Sequence, residues 1–144
     1  MFSLHTTVIA LAVLQVQAPT LEERITRITG TRAVDCGTFS IVHNGVALPI
    51  RPASKAKNRE DSMRESLVCA NQALKDHTGF KIVQRGQAHD VELSSGVLGT
   101  PDGLTLWFIS QNSGPLATTP CPLTNITIET TSGGNRTHLF TCRP

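Results

Sequence analysis

The chain changes its hydrophobic period several times, and each change marks an element. An apolar run, Val8–Leu14, follows a short polar start. Residues 19–33, "PTLEERITRITGTRA", are polar, charged and poor in large apolar groups, and read as an arm or linker. In "VDCGTFSIVHNGVALPI" (34–50), Phe39 and Ile41, then Val46, Leu48 and Ile50, alternate with smaller or polar residues. That alternation predicts a strand or small hairpin turning at Asn44–Gly45. A basic polar loop, "RPASKAKNRE" (51–60), comes next.

The period then becomes helical. In "DSMRESLVCANQALKDHTG" (61–79), Met63, Leu67, Ala70 and Leu74 make one apolar stripe at spacings of 4, 3 and 4. Ser62 and Glu65 fit a capping box, Lys75 and His77 suit the negative C-terminal end, and Gly79 suits the position just past it. Cys69 flanks the stripe.

Strand patterns follow the helix. "FKIV" (80–83), "HDVELS" (89–94) and "GLTLWFIS" (103–110) are separated by turn signals at "RGQ", "SSG" and "TPDG". "LTLWFI" is nearly continuous in apolar residues and is expected to be the most buried strand. "QNSGPLATTPCP" (111–122) reads as a long loop, with Pro120 and Pro122 excluding a ladder position around Cys121. "NITIETTSGGNRTHLFTC" (125–142) reads as a closing hairpin turning at "SGGN". One helix followed by a run of antiparallel strands predicts an α+β domain over residues 34–144.

Composition adds a compartment. Residues 1–18 have the layout of a secretory signal peptide, with Val16 and Ala18 as the small residues before a cleavage site. The apolar run is too short to span a bilayer and no other segment could do so, so a soluble, secreted monomer is expected. A formal net charge of +2 permits a nucleic-acid partner without arguing for one. With 5 Phe, 1 Trp and no Tyr, a base-stacking surface rich in aromatics is not expected. The four cysteines, Cys36, Cys69, Cys121 and Cys142, predict two disulfides behind a signal peptide. No pair has the C-x2–4-C spacing of a metal clip, and three connectivities remain open.

Candidate chemistry is sparse. Hydrolysis of RNA without a metal needs a base, an acid and a cation for the phosphate. The histidines available are His43, His77, His89 and His138, and the carboxylates nearest to strands are Asp90, Glu92 and Glu129. His89 and Glu92 lie three apart in one strand pattern, which points them to opposite faces unless a bulge intervenes. Arg51, Lys55, Lys57 and Arg59 form either an anion- or RNA-binding patch or a solvated loop before the helix. No nucleophile elbow, zincin motif or phosphate-cradling glycine loop is present, and no cofactor or metal is implied. Asn125-Ile126-Thr127 and Asn135-Arg136-Thr137 are glycosylation sequons.

The order of elements resembles that of small fungal guanyl-specific ribonucleases and of the ribonuclease-like secreted effectors of plant-pathogenic fungi. "VDCG" and "FTC" stand where those effectors carry an early cysteine strand and a near-terminal cysteine. "GLTLWFISQNSG" and "ITIETTSGGN" look like the ribonucleases' last central strands and glycine loop. The resemblance implies one helix packed on an antiparallel sheet. It also implies a Cys36–Cys142 bridge, which leaves Cys69 for Cys121. The chain departs from the active enzymes at their key places. Glu129 stands where a histidine is expected, Pro101–Leu104 where an arginine is expected, and no tyrosine precedes the first cysteine. A second shape, the sandwich of secreted killer-toxin-like proteins, needs a second helix, and no second capped, periodic stretch is visible. The resemblance thus implies a secreted effector or virulence protein that binds a host protein or RNA, acts without catalysis, and can be translocated into host cells. The alternative it leaves is a secreted ribonuclease with a rearranged site built from His89, Glu92 and either Arg85 or Arg136.

Overall fold

A computed structural model describes residues 17–41, 58–88, 90–131 and 137–144. The apolar run of the expected leader, the Asn44–Gly45 turn and the "SGGN" turn lie outside them.

The stretch expected to be an arm contains a helix, α1 (Leu21–Thr29). Its cap is reciprocal. Thr20 N–H donates to Glu23 Oε2 at 2.7 Å, and Glu23 N–H donates to Thr20 Oγ1 at 3.2 Å. Ile25 is wholly buried, with Leu21 and Ile28 packed beside it. Spacings of 4 and 3 place all three on one side of the helix, which is enough to dock it on a sheet.

β1 (Val34–Ile41) is followed by α2 (Arg59–Lys75) and then by four more sheet strands. These are β2 (Phe80–Ala88), β3 (Val91–Gly99), β4 (Thr105–Gln111) and β5 (Ala117–Pro120). The sheet order is β1-β2-β3-β4-β5. β1 pairs with β2 in parallel, and the other pairs are antiparallel. The parallel pair follows from α2, which supplies the crossover such a pair requires. The α+β, disulfide-stapled class is as expected, but the sheet is mixed and the described residues hold two α-helices.

The α2 N-terminus lies earlier than the Ser62–Glu65 motif suggests. Asn58 is the cap, its side chain accepting from Asp61 N–H at 2.9 Å, and Glu60 and Asp61 suit the positive end of the helix. The C-terminus closes in a Schellman arrangement. Thr78 N–H donates to the Ala73 carbonyl at 2.9 Å and His77 N–H to the Leu74 carbonyl at 3.2 Å. The left-handed residue there is His77, with φ 52°, and not Gly79. Gly79 instead starts the path into β2, where a Cβ would lie 1.8 Å from the Thr29 carbonyl oxygen. Its bare backbone lets the end of α1 seat against the sheet.

Two turn signals prove to be strand interior. β2 runs through Arg85-Gly86-Gln87 and β3 through Ser94-Ser95-Gly96. A Cβ on Gly96 would meet the Ile82 carbonyl oxygen at 2.0 Å, so this glycine marks a close approach between strands. The most buried strand is β3, in which residues 94–99 are all buried, and not "LTLWFI", whose Leu104 and Ile109 are exposed. β3 is covered on both faces, whereas β4 is bordered by the exposed edge strand β5. The stretch expected to be a long loop instead holds β5, and Pro120, expected to exclude a ladder position, pairs with Leu106 because β5 is an edge.

Alternation along β2 and β3 separates two cores. Phe80, Ile82 and Val97 face α2, joining Phe39, Met63, Ala70 and Phe140, while Val83 and Leu98 face α1, joining Ile25 and Phe108. On the α2 side also lies a hairpin of β6 (Ile126–Thr131) and β7 (Thr137–Cys142), preceded by a 3-10 turn at Leu123–Asn125. Two side chains seat it on the sheet. Gln84 is buried, and its Nε2 donates to the Phe140 carbonyl at 3.1 Å while its Oε1 accepts from Phe140 N–H at 2.7 Å. Arg59 donates through Nε to the His138 carbonyl at 3.2 Å and through Nη2 to the Ser40 carbonyl. Its guanidinium lies over the Phe39 ring, which meets Phe140 edge-on with centroids 5.5 Å apart.

The bridges are Cys36–Cys69 and Cys121–Cys142, which corrects the expected Cys36–Cys142 and Cys69–Cys121 pairs. A bulge between Asp35 and Gly37 adds a residue to β1, and Cys36 there packs on the α2 side, 5.6 Å from Cys69 between Cα atoms. Cys121 is held beside β4 by donating to the Thr105 carbonyl, which leaves it next to the end of β7. Sequence separations of 33 and 21 correspond to about 3–4 kcal/mol of stabilisation each on the chain-entropy account. A terminus-to-terminus bridge, which the ribonuclease resemblance implies, is not formed.

Gln84→Leu fills the same space but orphans both Phe140 backbone groups, at about 1–3 kcal/mol each. Denaturant unfolding should show that loss. His77→Gly should instead stabilise by about 1 kcal/mol, by removing a left-handed non-glycine residue from the helix end.

Candidate functional site

Register fixes what the α1 side of the sheet presents. Directly paired residues share a face, so one rung across four strands reads Ser40, Arg85, Ser94 and Ser110. The rung nearer α1 reads Thr38, Val83, Gly96 and Phe108, and its apolar members pack on Ile25. Beyond the Arg85 rung, Gln87 pairs with Glu92. The sheet face therefore passes from an apolar half under α1 to a polar half centred on Arg85.

Ser40, Ser94 and Ser110 are each 3% exposed. Ser110 Oγ donates to the Gly114 carbonyl at 3.1 Å. Arg85 is half-buried, its Nε is shut off from solvent, and that atom has no hydrogen-bond partner. It is the buried, unpartnered side-chain polar atom among the described residues. Leaving such a donor unmade costs about 1–3 kcal/mol or more. Two other basic side chains, Arg24 and Lys81, are engaged. Arg24 of α1 donates to the Ser113 carbonyl at 2.9 Å and also to the Gly114 carbonyl, and Lys81 pairs with Glu22. Asn112 and Ser113, which shape that turn, have φ of 46° and 58°. Asn112 locks it by accepting Glu92 N–H on its side chain and donating its own N–H to the Glu92 carbonyl, both at 2.8 Å.

The residues singled out in the sequence fall apart spatially. Glu92 is exposed at the start of β3, on the same face as Arg85 and diagonal to it. Such diagonal pairs lie about 7–8 Å apart between Cα atoms, within reach of long side chains. His89, the other half of the expected pair, lies outside the described residues, as do Arg51, Lys55, Lys57, Arg136 and the Asn135 sequon. Arg59, the fourth basic candidate, is structural. Both its donors serve backbone carbonyls, and burial pulls its guanidinium below the usual arginine pKa. Glu129 receives Nε and Nη2 of Arg143 at 3.0 and 2.6 Å. Asn125 is half-buried at the end of the 3-10 turn, its carbonyl accepting from Arg143 N–H at 2.9 Å. Thr127 of its sequon shares a hydroxyl contact of 3.0 Å with Thr141.

Elsewhere, a hollow of about 420 Å³ lies where the C-terminal ends of α1 and α2 meet, lined by Thr29, Arg32, Asp76, His77, Gly79 and Pro101 among others. It gathers none of the expected site residues except His77. Among the described residues, no group of three or more His, Cys, Asp or Glu side chains is placed to hold a metal. No described helix is long and apolar enough to cross a membrane.

Sequence reasoning named Arg85 only as a possible phosphate partner and missed its rung. The three serines are 16 to 70 residues apart from one another in number and become neighbours only through the register. Reading "RGQ" and "SSG" as turns broke the two strands that hold Arg85 and Ser94. Compared with known protein families, curated proteins and solved structures, the chain shows no match to any of them.

Proposed function

We propose that the protein is a secreted, disulfide-stapled effector that binds a host component through the polar half of its sheet and does not turn that ligand over. The observation that carries this reading is Arg85 in the Ser40–Arg85–Ser94–Ser110 rung, a half-buried arginine whose buried Nε has no hydrogen-bond partner. Binding sites keep polar groups unsatisfied until the ligand arrives, and scaffolds do not. Two residues that the sequence offers, Glu129 at the place of an expected histidine and Arg59 of the basic patch, serve structure instead. Glu129 holds Arg143, and Arg59 holds β7 against β1. Two disulfides suit a small secreted domain.

A second reading, a secreted ribonuclease with a rearranged site, is favoured by one fact. Arg85 and Glu92 share a face, so a phosphate-neutralising cation and a carboxylate base stand together. Incubation of the purified protein with labelled single-stranded RNA separates the two. The binding reading predicts no cleavage above a buffer control, and the same result for Glu92→Gln. Robust cleavage that is lost in Glu92→Gln would replace it with the ribonuclease reading.

A further inference from the structure

Among the described residues, the two sheets have four edge strands, β1 and β5 of the larger and β6 and β7 of the hairpin. An edge strand presents a row of unpaired N–H and carbonyl groups, and proteins commonly blunt it. Three of these edges are blunted. On β1, Arg59 donates to the Ser40 carbonyl, Gly37 N–H donates to the Asp35 carboxylate, and a bulge breaks the row. On β7, Gln84 takes both Phe140 groups and Arg59 takes the His138 carbonyl. On β5, the Cys121 N–H bond to the Thr105 carbonyl turns Thr118 and Pro120 outward, and Pro120 has no N–H to give. β6 is the exception. Arg143 N–H donates to the Asn125 carbonyl at 2.9 Å, so the pairs that exchange ladder bonds are Thr127–Thr141 and Glu129–Leu139. Ile126, Ile128 and Thr130 therefore turn their backbone groups away from β7. The Ile126 N–H is already given to the Leu123 carbonyl. The Ile126 carbonyl and both groups of Ile128 and of Thr130 remain, five in all, without a partner among the described residues. Thr130 is exposed and Ile128 half-buried, so the row is open to solvent. No Pro, Lys or Gly interrupts "ITIET", and its one charge, Glu129, is held by Arg143.

We infer that this edge of β6 is a docking surface for an extended peptide segment of a partner protein, which adds to the hairpin as a third strand. The row alternates donors and acceptors at strand spacing, and an extended main chain is its complement in partial charge. Side chains give the added strand a polarity. Ile126 and Ile128 face the core on which Trp107 also packs. Ile109 shares a rung with Gln84, so it lies on the hairpin side of the sheet, and it is 42% exposed. Alternate side chains of the added strand that point to this side meet apolar surface, and the others lie beside Thr127 and Glu129. A second copy of the chain fits less well. Two β6 edges paired about Ile128 set Thr130 of one copy against Ile126 of the other, whose N–H is committed to Leu123. Each Thr130 carbonyl is then left unanswered, whereas a free strand answers all five groups. The Arg85 rung lies on the other face of the sheet, and the β6 edge does not depend on it.

The test is an amide-resonance titration of the full protein by NMR. The probes are an end-capped peptide of alternating Thr and Val and the same peptide N-methylated throughout. The first should shift the Ile128 and Thr130 amides in a saturable way. The second, which has no N–H to give, should bind about ten-fold more weakly or not at all. Thr130→Pro removes an outward N–H without breaking a ladder bond, and its only other loss is the exposed hydroxyl contact with His138. It should weaken the first peptide about ten-fold, while Thr118→Pro on the β5 edge should leave binding unchanged. The comparison of the two peptides on the wild-type protein needs no variant to fold. Equal binding of the two peptides would overturn the inference, as would saturable shifts confined to β1 or β5, or no saturable shift at all. Sedimentation of the peptide-free protein covers the remaining occupant. A monomer is expected, and a dimer that Thr130→Pro dissolves would assign the edge to a second copy and overturn the inference. The RNA assay is read separately, since cleavage or its absence does not involve this edge.

Discussion

One side-chain amide joins the two halves of this protein. Gln84 lies in the second strand of the sheet, and its amide meets both backbone groups of Phe140 in the closing hairpin. A strand edge normally exposes a row of such groups. Here the outer edge of β7 is satisfied at Phe140 by Gln84 and at His138 by Arg59. The aromatic contact between Phe39 and Phe140 lies between these anchors. Neither disulfide does this work. Cys36–Cys69 ties β1 to α2, and Cys121–Cys142 ties the hairpin to the chain just after β5. The first two strands of the sheet are therefore joined to the last strand by side chains, β2 through the Gln84 amide and β1 through the Arg59 guanidinium and the Phe39–Phe140 pair, in place of the covalent bridge that the ribonuclease resemblance implies.

That arrangement explains the division of the polar residues. On the α2 side, each buried polar group that matters to the fold has a partner, and Gln84 also reaches Ser95 Oγ at 3.4 Å. On the α1 side, the helix covers only the apolar half of the sheet, around Val83, Leu98 and Phe108. The polar half begins at the next rung, and Arg85 is its centre. Its Nε is buried without a partner, which is destabilising. Position on a regular strand also gives Arg85 a fixed direction, which a loop arginine would lack.

Much of the scaffold was legible in the sequence. The α2 stripe, the strand run and the closing hairpin follow from period and turn chemistry, and the even cysteine count gives two bridges. The misses have specific causes. α1 was hidden because only Leu21, Ile25 and Ile28 are large and apolar among many charges, although Thr20 and Glu23 spell its cap. Gly86 and Gly96 look like turn punctuation, yet they sit in strand interiors, Gly96 because neighbouring backbone approaches it closely. Glycine is the usual left-handed residue at a helix end, which points to Gly79, whereas His77 takes that conformation. The disulfide pairing turned on a one-residue bulge at Cys36, which no spacing rule reveals. The candidate site was the least legible part. A rung is a property of register, and register depends on long-range pairing that a single sequence does not display.

Both bridges are local, and side chains rather than a disulfide join the first strand to the last. Peptide mapping of the unreduced protein tests this most directly. It should yield one linked pair containing Cys36 with Cys69 and another containing Cys121 with Cys142. A linked pair containing Cys36 and Cys142 would contradict the account, because a covalent tie would then hold the joint assigned here to Gln84, Arg59 and the two rings.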